Sequence, residues 1–146
     1  MTMHRRTLPR TRLLAAAGAV VSIVGCVLPW WTVGGGDGLP VTSGNAFASY
    51  GILVFVAAIA TLALVTLPYA SERPVAADRW PAYAIFAGLG AVGLLARILD
   101  LFLSRAFLFS SPADAFTRVP GLWISAIGLV MLGRAIFEML REPRLR

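Results

Sequence analysis

The chain has 146 residues, 58% of them hydrophobic and only 14% charged, and its net charge of +6 rests on arginine with no lysine at all. A soluble domain carries about a quarter of its residues charged, so this composition, with a mean hydropathy of +0.79, excludes an ordinary water-soluble fold. The arginines sit between apolar runs and at the ends, not in a basic stripe with interleaved aromatics, which argues against nucleic acid and for anionic lipid head groups.

Four charge-poor stretches organise the sequence. Each is close to the ~20 residues that a helix needs to cross about 30 Å of hydrocarbon. The first covers 13–36, and a span over about 13–31 is expected, with Pro29, Trp30 and Trp31 where it leaves the apolar core. Gly34, Gly35, Gly36, Gly38 and Pro40 then predict a flexible connecting loop, with Ser43 or Asn45 available to cap the next helix. The second span is expected over about 47–68 and closes at Pro68. Ser71, Glu72, Arg73 and Pro74 form a polar turn, and Pro81 falls in the first turn of a third span over about 81–103. Ser111-Pro112-Ala113-Asp114 resembles a capping box that opens a short surface helix. Pro120 and Gly121 begin the fourth span, about 120–140. The expected fold is all-α: one integral membrane four-helix bundle.

Arginine placement sets the expected orientation. Arg5, Arg6, Arg10 and Arg12 precede the first span, Arg73 and Arg79 lie between the second and third, and Arg134, Arg141, Arg144 and Arg146 end the chain. The other two loops hold only Arg105 and Arg118. Both termini are therefore expected in the cytoplasm, with the protein in the plasma membrane. Trp30, Trp31 and Trp123 then fall at the outer interface and Trp80 at the inner one, where amphipathic rings settle.

The run Gly25-Cys26-Val27-Leu28-Pro29-Trp30-Trp31, then Ser43-Gly44 before a helix with Gly51, then Pro120-Gly121-Leu122-Trp123, resembles small bacterial membrane proteins of unknown function. Many of these share a first span ending in Leu-Pro-Trp, a small-residue outer loop and a Gly-Leu-Trp start to the fourth span. The resemblance covers nearly the whole chain and implies four helices, with no activity attached.

Few residues could carry chemistry. Arg97 and Asp100 are three apart on one helix face and can pair, and Ser104 extends the stripe. Sixteen residues past Pro81, Arg97 stands ~24 Å along a helix that rises about 1.5 Å per residue. That height is near the outer edge of the core, where an interfacial structural pair is expected. Contact with another helix or a substrate vestibule are the sharper alternatives. Arg134 and Glu138 are expected to anchor the inner end of the last helix. Gly18 and Ser22, Ala84 and Gly88, and Gly121 and Ser125 have the spacing that lets helices approach closely, within one bundle or in a homo-oligomer.

The basic N-terminus, apolar run and small residues before Cys26 resemble a lipoprotein signal. Against cleavage and lipidation there, the apolar run continues to Trp31, so an uncleaved span is expected. One cysteine and one histidine, His4, leave no Cys pair and no Cys/His metal cage. No phosphate-cradling Gly-rich motif is present, and neither of the first two spans contains the carboxylate that small four-helix drug exporters use in their first helix. The expected function is non-enzymatic, without cofactor or metal: an accessory or interaction subunit whose partners are lipid, a second copy or another membrane protein. A small transporter or channel using Arg97 and Asp100 is the alternative.

Overall fold

A computed structural model describes residues 9–35, 38, 40–70, 79–103 and 117–141. Its elements in order are α1 (Arg10–Val27), β1 (Trp31–Val33), β2 (Thr42–Gly44), a 3-10 turn (Ala46–Ala48), α2 (Ile52–Ala70), α3 (Trp80–Leu103) and α4 (Pro120–Arg141). All four helices are long and apolar enough to cross a membrane. Ser71 to Pro74, Ser104 and the expected capping box at Ser111 to Asp114 lie outside the described residues.

The helices form an antiparallel ring in which α1 packs on α2, α2 on α3, α3 on α4, and α4 back on α1. The α1–α4 seam is the most extensive, and small residues are the cause. A Cβ at Gly18 would stand 2.7 Å from the Gly128 carbonyl oxygen, and one at Gly121 would stand 2.6 Å from the Gly25 carbonyl oxygen. Neither helix could come this close with a larger side chain in place. Two apolar clusters fill the ring. One, around Ala15, Leu64, Tyr83 and Leu132, lies towards the end where α1 starts and α4 stops. The other, around Trp30, Val54, Leu94 and Leu122, lies at the opposite end beneath the strands, called here the hairpin end.

Two departures from the sequence reading occur at the hairpin end. The first helix stops at Val27, four residues short of Trp31, because Leu28 turns extended ahead of Pro29. On either side of the glycines two short strands pair antiparallel, with Trp31 opposite Gly44, Thr32 opposite Ser43 and Val33 opposite Thr42. Gly34 and Gly35 have φ of +93° and +85°, left-handed values that residues with a Cβ rarely adopt, and so permit the turn. Asn45 caps the 3-10 turn through its Oδ1, which accepts from Phe47 N at 3.2 Å, while Ser43 sits in β2. α2 begins only at Ile52 and continues through Pro68 to Ala70.

Candidate functional site

The candidate site is the polar pair Arg97 and Asp100 near the end of α3. Along α3 the buried positions Tyr83, Gly90, Gly93, Leu94, Arg97 and Leu101 recur at helical spacing, so Arg97 belongs to the core face of its helix. Arg97 is 8% exposed, whereas the Asp100 side chain is 41% exposed. Arg97 Nη1 donates to Asp100 Oδ2 in the expected ion pair, and Arg97 Nε is buried without a hydrogen-bond partner. A Cβ at Gly93 would lie 2.9 Å from the Tyr50 carbonyl oxygen, which fixes the height of α3 against α2. One turn further on, Arg97 stands at the height of the segment leading into α2. There Ser49 Oγ is likewise buried and unpartnered.

The expected structural pair forms, with Arg97 packed inside and not reaching outward. Arg97 lies on the face of α3 that also buries Gly93, Leu94 and Leu101, and Asp100 lies at the edge of that face. Only Asp100 reaches outward.

Trp30 is a correction. It is fully buried, not set in an interfacial belt. Its Nε1–H donates to the Gly25 carbonyl oxygen at 2.9 Å, its backbone N–H donates to Gly44 O at 2.7 Å, and Gly121 N–H donates to Pro29 O at 2.9 Å. Buried indole needs such a partner, and here the partner is the α1 carbonyl five residues back. Trp30 thus joins the hairpin to α1, with Gly121 of α4 against its ring. Trp31 lies across Gly44, while Trp80 and Trp123 are 38% and 41% exposed on the outside of the bundle.

The small residues divide. Gly18, Ser22, Gly121 and Ser125 all lie buried on the α1–α4 seam and face one another inside one chain. Gly25 and Gly128 complete the set; the steps from 18 to 22 to 25 and from 121 to 125 to 128 were available in the sequence as a signal. Ser125 Oγ donates to Ser22 O at 3.5 Å, and Cys26 is buried beside Ser125. Ala84 is half-buried against the first cluster, but Gly88 is exposed, with nothing within 4 Å of where a Cβ would stand. Gly90, against Leu129 of α4, and Gly93, against Leu53 of α2, make the close contacts of α3 instead. Their spacing of three differs from the step of four in the usual small-residue packing pattern.

At the other end, Arg134 Nε donates to Glu138 Oε1 at 3.1 Å, and the Arg141 guanidinium stacks 4.2 Å from the Phe137 ring centroid. Among the described residues no three His, Cys, Asp or Glu side chains come together as a metal site.

No family model, curated protein or solved structure matches the chain. The class of protein is therefore defined by the fold alone: an all-α bundle of four helices, each long and apolar enough to cross a membrane.

Proposed function

We propose that the chain is a non-enzymatic, multi-pass protein of the cell membrane that serves as an accessory or interaction subunit, with both termini cytoplasmic. One observation carries this reading: among the described residues the interior is filled mainly by apolar helix-to-helix contact, with Thr11, Ser22, Thr61, Arg97 and Ser125 as its buried polar side chains. The α1–α4 seam is closed to backbone contact, Ser125 is bonded across it to Ser22 O, and the Thr61 hydroxyl donates to its own helix at Ala57 O, 2.8 Å away. Such an interior leaves the outer surfaces and the hairpin as the working parts. The Leu-Pro-Trp and Gly-Leu-Trp segments and the likeness they suggest to small bacterial membrane proteins belong to the same reading, and arginine asymmetry carries the orientation.

The transport alternative draws on the buried Arg97 with its unpartnered Nε. The two separate on purification. Extracted in native lipid, the protein should retain a membrane partner in fixed ratio, and when reconstituted alone it should support no solute or ion flux. Flux from the pure protein that Arg97→Leu abolishes would overturn the reading. For orientation, Val41→Cys should react with a membrane-impermeant thiol reagent in intact cells and Arg79→Cys should not. The reverse pattern would invert the topology.

A further inference from the structure

One face of α4 is turned away from the rest of the bundle along its whole length. Gly121, Ser125, Gly128 and Leu132 are buried against α1, whereas Trp123, Ile127, Val130, Arg134, Phe137 and Arg141 recur at steps of four and three and are all exposed. The first part of this outward face is apolar, and its last two turns are basic. Arg134 and Arg141 stand seven residues apart, about 10 Å along the axis, yet their guanidiniums converge. The Arg134 side chain runs forward, and its Nε donates to Glu138 Oε1 at 3.1 Å. The Arg141 side chain runs back, so that its guanidinium carbon lies 4.2 Å from the centroid of the Phe137 ring. Both charges therefore sit on the single turn 137–138. The Arg134 side chain remains 74% exposed although paired, and Glu138 is the one acidic side chain of α4.

We propose that this turn binds the phosphodiester of one anionic phospholipid, with an acyl chain along Val130 and Ile127, which rests on α4 crossing the membrane as proposed above. Two guanidiniums against one carboxylate leave a formal charge of +1, the complement of a single phosphodiester. A zwitterionic lipid would bring its own ammonium group beside the arginines. Orientation by a carboxylate and an aromatic face lowers the entropy that each flexible arginine loses on binding. A planar guanidinium also matches two phosphate oxygens at once. Glu138 holds Arg134 but opposes the phosphate charge. A second copy related by a twofold axis along the membrane normal fits this face less well, because it would set Arg134 against Arg134 and Arg141 against Arg141.

Native mass spectrometry of the full-length protein in non-ionic detergent, titrated with phosphatidylglycerol or phosphatidylcholine, tests this. Phosphatidylglycerol should bind at least about five-fold tighter, the effect of one net charge. At about five-fold per charge, Arg134→Gln with Arg141→Gln should weaken it about twenty-fold, and Glu138→Gln should strengthen it about five-fold. Phe137→Leu keeps every charge but frees Arg141, and should weaken it about three-fold. Arg10→Gln with Arg79→Gln removes two charges from the same end of the bundle on α1 and ahead of α3, and should change it less than about two-fold. Equal binding of the two lipids would overturn the proposal, as would a loss in the Arg10 and Arg79 pair matching that of the Arg134 and Arg141 pair. Full displacement by soluble glycerol phosphate at equal concentration would overturn the lipid assignment, and a lipid-free dimer lost with Arg134 and Arg141 would give the face to a second copy. Retention of neither lipid would overturn the membrane placement of α4 together with the site.

Discussion

Removing one partner of the Arg97–Asp100 pair should have very unequal consequences, depending on which partner goes. Two unit charges about 4 Å apart attract by about 4 kcal/mol at an effective dielectric of about 20. The pair is lopsided, with Arg97 enclosed and Asp100 reaching outward. Asp100→Leu strands a guanidinium in the packed interior, where Nε already lacks a partner. Breaking a buried pair in this way costs about 3–5 kcal/mol, and about 3 kcal/mol is expected because Asp100 is itself partly solvated. Arg97→Leu removes the buried charge altogether and leaves a carboxylate that can turn to water or head groups, so it should cost under about 1 kcal/mol. The double substitution should return close to Arg97→Leu, a coupling of about 3 kcal/mol, at the upper end of the range for neighbouring partners. Reversible unfolding of the four proteins in mixed micelles with increasing sodium dodecyl sulfate measures all three differences. Equal losses from the two single substitutions, or strict additivity, would refute the account of Arg97 as a buried charge balanced by Asp100.

The glycines provide a paired test on the same assay. Gly18→Ala should destabilise by about 1–3 kcal/mol, since its Cβ would press on the Gly128 carbonyl and α1 would have to withdraw from α4. Gly88→Ala and Gly133→Ala meet open space and should stabilise by up to about 1 kcal/mol through helix propensity. Trp30→Phe keeps most of the packed ring but leaves the Gly25 carbonyl without the indole donor. A loss of about 1 kcal/mol is expected, against less than about 0.5 kcal/mol for Trp123→Phe on the half-exposed flank.

The helices were legible because each follows from a property summed over many residues. The apolar runs place all four, and Pro81 and Pro120 mark two starts to within one residue. The hairpin was not legible: its strands are three residues long, too short for an alternating pattern, and its glycines support an irregular loop equally well. Counting residues from Pro81 put Arg97 in the last third of α3 but gave no burial, because burial depends on which face the neighbouring helices cover. The same holds for Trp30, which next to Pro29 has the look of an interface residue and becomes interior once its neighbour enters a strand. The Arg97–Asp100 pairing itself needed only a spacing of three on one helix, and it stands in the structure.

The most extensive helix pair joins the first span to the last, and this bears on how the chain is made. A ribosome delivers α1 about a hundred residues before α4, so the face bearing Gly18, Ser22 and Gly25 waits in the bilayer without its counterpart during nearly the whole of synthesis. Until Gly121, Ser125 and Gly128 arrive, that face offers close backbone approach and a serine hydroxyl to any passing helix with small residues. Chains broken off before the fourth span would keep it open indefinitely, a mark by which membrane proteases and insertases could tell an unfinished product from a closed one.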